Sequence, residues 1–191
     1  MKSNRLLRVV LATFLLGSAS SVPVFAQPIF IMKDGELQKS PLTSPTHFGM
    51  GGNTSKGLTD WFSTEDGGAL KLVFPAGQDW AGVWITAGTP SAPGERQIID
   101  LTRFKTLKID MRGRNGGEVI EIGIKSDTQP DDGSEKKFRV ELKREWDIFP
   151  FPLESFRRVN LKDLTRIYVI SEFVHPLKTP ITVFVRSISL E

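Results

Sequence analysis

The chain has 191 residues, of which 39% are hydrophobic and 25% are charged, with a formal net charge of +3 and no cysteine. This composition is typical of a folded globular domain. The absence of cysteine excludes disulfide frameworks, thiolate zinc sites, iron–sulfur clusters and cysteine nucleophiles. The two histidines are too few for a three-histidine metal site. The fold must therefore rest on one hydrophobic core.

The first 26 residues have the pattern of a secretory signal peptide. Three basic residues precede an apolar run over residues 9–16, which is too short to cross a bilayer, and a small-residue cleavage site ends at Ala26. We therefore predict a signal peptide over residues 1–26 and a periplasmic or secreted mature chain. A buried N-terminal helix is the alternative. No second apolar run approaches membrane-spanning length, so no membrane span is expected after signal cleavage.

Signal cleavage would also change the charge balance. It would remove three of the 25 basic residues and none of the 22 acidic ones, which leaves the mature chain without net charge. A nucleic-acid-binding protein usually carries a basic cluster, and none is visible in the sequence. No nucleic-acid partner is expected.

The mature chain is predicted to be one domain built from short strands. Residues 27–66 form an N-terminal strand and a loop-rich segment, with a flexible glycine-rich loop at 49–53, and residues 67–191 form the β-sandwich itself. The predicted strands, each bounded by turn residues, cover residues 70–74, 81–85, 107–112, 118–125, 137–142, 146–151, 165–170 and 179–190. Their spacing of about ten residues favours an antiparallel sandwich or barrel. Helix is limited to single turns at 101–104 and 153–156.

Alternation of apolar and polar residues assigns the faces of these strands. Large apolar side chains are predicted to enter the core from Leu107, Ile109, Met111, Ile120, Ile122, Ile124, Phe138, Val140 and Leu142. If residues 113–116 close a hairpin between the third and fourth predicted strands, Ile109 faces Ile120 and Lys108 faces Glu121.

The strand around Trp84 is unusual. If Ala81, Val83 and Ile85 enter the core, then Trp80, Gly82 and Trp84 share the solvent face, where two aromatic rings would flank a depression. The opposite parity, with both tryptophans inside, stays open because tryptophan in a strand is commonly buried.

Several segments in order resemble the galactose-binding-like jelly rolls that include family 11 and related bacterial carbohydrate-binding modules. The matching stretches include GGALKL at 67–72, WAGVWI at 80–85, DLTRFKTL at 100–107, RGRNGGE at 112–118 and ITVFVRSI at 181–188. The resemblance covers residues 67–191 and implies an all-β antiparallel β-sandwich (jelly roll) and sugar binding. The same fold also serves as a protein-interaction module, for example in complex I assembly factors.

Members of that group often hold a structural calcium with an acidic pair in the last strand, where this chain has Arg186-Ser187. A guanidinium cannot ligate a hard cation, so the calcium site is expected to be lost, and Arg186 is expected to pair with Asp34 or Glu36. The acidic turn formed by Asp127, Asp131, Asp132 and Glu135 does not match an EF-hand and is predicted to be solvated. No metal and no cofactor are expected.

Sugar binding needs aromatic faces for pyranose rings and planar polar groups for hydroxyls. Trp80 and Trp84 are predicted to stack on the sugar, and hydroxyls are predicted to be oriented by Arg112, Glu121, Arg139, Glu141, Tyr168 and Glu172. The alternative is a solvated face with cross-strand charge pairs.

Catalysis is not predicted. Glu118 and Glu121 would point to opposite faces of their strand, so they cannot form the carboxylate pair of a glycosidase, and no Gly-x-Ser-x-Gly motif occurs. The sequence therefore predicts an exported, non-catalytic carbohydrate-binding module that recognises a polysaccharide or oligosaccharide in a groove on one sheet. A protein–protein interaction or assembly module, with a protein partner on the same face, is the alternative.

Overall fold

The computed structural model describes residues 27–38, 46–52, 62–65, 67–78, 80–87, 97–130, 132–172 and 177–191. The predicted signal peptide lies outside them. In chain order the strands are β1 (Ile29–Lys33), β2 (Glu36–Leu37), β3 (Thr46–Gly52), β4 (Phe62–Glu65), β5 (Ala69–Phe74), β6 (Trp80–Ala87), β7 (Thr106–Gly113), β8 (Val119–Ser126), β9 (Lys137–Glu141), β10 (Asp147–Pro152), β11 (Leu164–Glu172) and β12 (Ile181–Leu190). They form two antiparallel sheets, so the predicted all-β sandwich is confirmed.

One sheet has seven strands and is organised around β12. This strand pairs with β7 along one side, and with β5 and then β1 along the other. The remaining members, β10, β2 and β4, extend the sheet from β7, β1 and β5. β12 therefore joins the N-terminal strand β1 to the strands of the middle of the chain.

The other sheet has five strands in the order β3-β6-β11-β8-β9. β7 and β8 therefore belong to different sheets, and the predicted hairpin between them is wrong. Ile109 pairs instead with Phe149 and Ile188, whereas Ile120 pairs with Val140. The connection that crosses from one sheet to the other contains Gly116 and Gly117, which adopt positive φ angles of 81° and 86° that glycine reaches at little cost.

The core lies between the two sheets and is filled by the inward-facing side chains that alternation predicts. Leu107, Ile109 and Met111 of β7 and the three isoleucines of β8 have no exposed surface. Burial of each such side chain contributes about 1.5–3 kcal/mol relative to exposure. Phe138 of β9, Phe151 of β10 and Phe156 close one end of the core through ring contacts, the tightest being edge-on at 4.8 Å between Phe138 and Phe156.

The eight strands predicted from alternation correspond to β5–β12, with ends shifted by one or two residues. The predicted flexible loop at 49–53 is wrong over most of its length, because residues 49–52 belong to β3. In the described part of the chain the only helix is the 3₁₀ turn Leu153–Ser155, within the second predicted turn. No helix among those residues has the length and apolar character needed to cross a membrane.

Candidate functional site

The two tryptophans of β6 lie on the outer face of the five-stranded sheet. Ala81, Val83 and Ile85 are at most 5% exposed and belong to the core, whereas Trp80 is 47% exposed and Trp84 is half-buried. The parity that places Trp80, Gly82 and Trp84 together on the outside is confirmed. We call this outer surface of the five-stranded sheet the tryptophan face.

Glycines occupy the register positions beside these tryptophans. Gly49 of β3 is the Cα partner of Trp84, and Gly51 is the partner of Gly82. On the other side of β6, Tyr168 of β11 is opposite Trp84. Side chains are therefore missing from β3 where it passes Trp84 and Gly82.

The polar residues predicted to orient hydroxyls lie further across the same sheet. Glu121 of β8 and Arg139 of β9 are direct cross-strand partners, which places their Cβ atoms about 4.5–5.5 Å apart. Glu141 is opposite Val119, and Glu172 is opposite Trp80. Arg139 and Glu141 are exposed, whereas Glu121 is half-buried.

Seven of the eight predicted ligand-binding residues thus belong to β6, β11, β8 and β9, which are adjacent strands of one sheet. For Tyr168 and Glu172 this placement rests on the backbone register alone. Trp80 and Trp84 lie at the β6 side of this group, and Glu121, Arg139 and Glu141 lie at the β8–β9 side.

Arg112 is the exception, and its assignment to the tryptophan face is wrong. It lies in β7 of the seven-stranded sheet, where its guanidinium carbon is 4.1 Å from the Phe184 ring centre and 5.2 Å from the Trp146 ring centre. The prediction failed because β7 and β8 were taken as neighbours in one sheet. Arg112 instead holds a cation–aromatic contact on the far side of the sandwich.

Arg186 also has a partner different from the one expected. Its Nε and Nη2 atoms donate to Oδ2 of Asp110 over 2.7 and 2.6 Å, and its guanidinium lies 4.6 Å from the Trp146 ring centre. The expected pairing with Asp34 or Glu36 is wrong. A register shift in β12 between Val185 and Ser187 places Arg186 beside Asp110 of β7.

The acidic turn after β8 is held by its own hydrogen bonds. Oδ1 of Asp132 accepts a hydrogen bond from the Ser134 backbone N–H at 3.0 Å, and hydrogen bonds from the side chain and then the backbone of Ser134 lower the pKa of the Asp132 carboxyl. Glu135 forms an ion pair with Lys137 at 3.7 Å. Asp131 lies outside the described residues. Within the described residues no group of three His, Cys, Asp or Glu side chains is placed to hold a metal ion.

Sequence reasoning missed two parts of this region. The glycines of β3 alternate at 49 and 51 with the same period of two as a strand, and this alternation is a usable signal. The second omission is a group of basic side chains beside β8 and β9, described below. No sequence motif indicates this group, because two of its members come from the turn at residues 157–158, which is separated from β9 by β10.

Comparisons with known proteins support the fold. The structure is similar to a family 30 carbohydrate-binding module of a cellulosomal cellulase of Clostridium thermocellum, with a TM-score of 0.59, 18% identity and coverage of 87% of this chain and 98% of that one. It is also similar to a family 11 carbohydrate-binding module from Clostridium thermocellum in complex with a β-1,3-1,4-mixed-linked tetrasaccharide, with a TM-score of 0.50, 11% identity and coverage of 76% and 83%.

A family 29 carbohydrate-binding module gives a TM-score of 0.51 at 13% identity, with coverage of 87% of this chain and 92% of that chain. No family model matches the sequence, and no curated protein matches it. At these identities the similarity establishes the fold. The resemblance to the jelly roll of carbohydrate-binding modules, first indicated by sequence segments, is confirmed at that level.

Proposed function

We propose that this protein is an exported, non-catalytic carbohydrate-binding module that binds a glycan across the tryptophan face. The observation that carries the proposal is the parity of β6. Three small or aliphatic side chains of this strand fill the core, and the two indole-bearing positions, with a glycine between them, face outward. Solved structures with the same fold include carbohydrate-binding modules, which supports the same function here.

The physical basis is the match between this surface and a sugar. Pyranose rings present apolar C–H patches that gain from contact with the flat face of an indole, as other apolar surfaces do. An exposed tryptophan in a strand leaves much apolar area in water, and a ligand that covers it recovers this free energy. Exposed Arg139 and Glu141 provide charged groups that hydrogen-bond hydroxyls strongly.

Export is part of the proposal and rests on the signal-peptide pattern of residues 1–26. A periplasmic or secreted location would bring the tryptophan face into contact with polysaccharide outside the cytoplasm. No catalytic role is assigned to the face.

The proposal is tested by isothermal titration of the mature chain against a panel of soluble neutral and acidic polysaccharides and oligosaccharides. Trp84→Ala should weaken binding by about 30-fold or more, as expected for loss of a central aromatic contact. Ile148→Ala is the matched control, because Ile148 is 57% exposed but lies in β10 of the other sheet. Its binding should be unchanged.

If no member of the panel binds, or if Trp84→Ala binds as tightly as the parent, the tryptophan face is not a glycan site. Each variant should keep the melting temperature of the parent, measured by circular dichroism, which shows that a loss of binding is not caused by a loss of fold.

A further inference from the structure

A groove of about 450 Å³ lies beside the tryptophan face, at the β8–β9 end of the five-stranded sheet. Its lining residues are Glu121, Gly133, Ser134, Glu135, Lys136, Lys137, Arg157 and Arg158. We call it the basic groove, because four cationic side chains outnumber two carboxylates. It adjoins the candidate site, since Glu121 belongs both to the groove lining and to the polar end of the tryptophan face.

Only part of this positive charge is neutralised within the groove. Lys137 forms an ion pair with Glu135 at 3.7 Å, donates to the Gly133 carbonyl at 3.1 Å, and has a side chain that is only 6% exposed. Arg157 and Arg158 are exposed, and neither forms an ion pair with any carboxylate that the structure describes. Two guanidinium groups therefore face the groove without an anionic partner among the described residues.

The turn that carries the two arginines is fixed to the core. Phe156, directly before them, is 2% exposed and packs edge-on against Phe138 of β9. Backbone hydrogen bonds from Arg157 to Ser155 and from Val159 to Phe156 define the turn.

Arg158 has a φ of 68°, a left-handed conformation that costs a non-glycine residue about 1–2 kcal/mol. Strain of this kind is retained where the surrounding structure enforces it, and it is concentrated at binding sites. The backbone that carries the two guanidinium groups is thus held in place before a ligand arrives, which lowers the entropic cost of ordering this turn on binding.

We propose that the basic groove binds the carboxylate of an acidic sugar, so that the glycan recognised by this protein contains uronic acid residues. The inference rests on the proposed function, because it names the class of glycan. A planar guanidinium matches a carboxylate through two parallel hydrogen bonds, and a pair of them selects an anionic sugar over a neutral one. β8 lies two strands from β6, about 10 Å, so one oligosaccharide can reach both Trp84 and the groove.

The test compares binding of the mature chain to oligogalacturonate and to a neutral oligosaccharide of equal length. We expect a preference for the acidic sugar of about tenfold or more that declines as salt is raised, as charge-assisted contacts require. The double variant R157Q/R158Q should remove this preference while leaving binding of the neutral sugar unchanged. The control K33Q/K108Q removes the same number of positive charges from the seven-stranded sheet and should keep the preference.

The outcomes separate this inference from the proposed function. Binding of both sugars with equal affinity, lost in Trp84→Ala but unaffected in R157Q/R158Q, would overturn the role of the groove and leave the tryptophan face as the glycan site. Binding of oligogalacturonate that depends on the arginines but not on Trp84 would support the groove and refute the tryptophan face. Binding of a sulfated galactan but not of oligogalacturonate would overturn the assignment to a carboxylate.

Discussion

Replacing Arg186 by methionine should lower the free energy of unfolding by about 2–3 kcal/mol. Asp110 is 7% exposed, its Oδ2 atom takes both hydrogen bonds from Arg186, and its Oδ1 atom is buried without a hydrogen-bond partner. The variant leaves this carboxylate buried and uncompensated, which typically costs about 3–5 kcal/mol when both charges are fully buried. We expect a smaller cost because the Arg186 side chain is 42% exposed, so the site can partly rehydrate.

Replacing the other partner, Asp110, should lower the free energy of unfolding by less. In Asp110→Asn the remaining charge is the guanidinium of Arg186, which already reaches water and lies over the Trp146 ring. A loss of about 1 kcal/mol is expected, the ordinary contribution of one hydrogen bond. The double variant D110N/R186M has no buried charge left, so it should be more stable than Arg186→Met alone.

Urea titration of the four proteins measures this cycle, and thermal melts should show Arg186→Met lower by about 5–10 °C. Lys108→Gln is the control, because Lys108 pairs with Glu191 where both side chains are at least 35% exposed, and its loss should cost less than about 1 kcal/mol. The reasoning is refuted if Asp110→Asn costs as much as Arg186→Met, or if the double variant is the least stable of the four. Calcium and a chelator should both leave the melting temperature unchanged.

Two smaller predictions concern the turns. Gly35→Ala should lower the free energy of unfolding by about 2–5 kcal/mol, because the φ of Gly35 is +75° and an added Cβ would lie 2.7 Å from the Ala69 carbonyl carbon. Gly77→Ala is the control: its φ is +81° but nothing lies close to the added Cβ, so it should cost only about 1–2 kcal/mol. Equal losses in urea titrations of the two variants would contradict the contact argument. Asp147 accepts a hydrogen bond from Lys143 at 2.6 Å, which lowers its pKa, so carboxyl NMR titration should place its pKa below the usual aspartate range and Lys143→Gln should raise it. Because the folded-state pKa of Asp147 is lowered, the stabilisation from this pair is present above the usual aspartate pKa and is lost as the pH falls through the lowered value. An unchanged Asp147 pKa in Lys143→Gln would show that Lys143 is not the cause of the shift.

Strand positions and faces were predictable wherever a strand has one buried face. In β7 and β8 every second residue is a large aliphatic or methionine side chain, and that period survives in the sandwich because a one-residue shift would expose the whole set. The outward parity of β6 was predictable on the same ground, although the sequence left the opposite parity open. β3 was not predicted as a strand, because its glycines are typical of turns and loops even where they lie within a strand.

Pairing between strands was not predictable from these patterns. A glycine-rich connection such as residues 113–117 is compatible both with a hairpin and with a crossing between sheets, and only the packing of the whole domain decides. The ion pair between Asp110 and Arg186 joins residues 76 positions apart and depends on an irregularity of β12. Arg112 was misplaced for the same reason, since alternation gives the face of a strand but not the sheet to which it belongs.

The glycines of the tryptophan face argue against a surface that is merely solvated. Glycine inside a strand costs about 0.5–1 kcal/mol relative to alanine, and Gly49, Gly51 and Gly82 share neighbouring register positions, so together they cost about 1.5–3 kcal/mol. A face that met only water would gain stability from β-branched or polar side chains there. Glycine in a strand is explained when another group must approach the backbone closely. Trp80 and Trp84 border these positions on the outer side of the sheet, and Gly82 between them is already buried, so the indoles are one such group and the glycan that we propose for this face would be another.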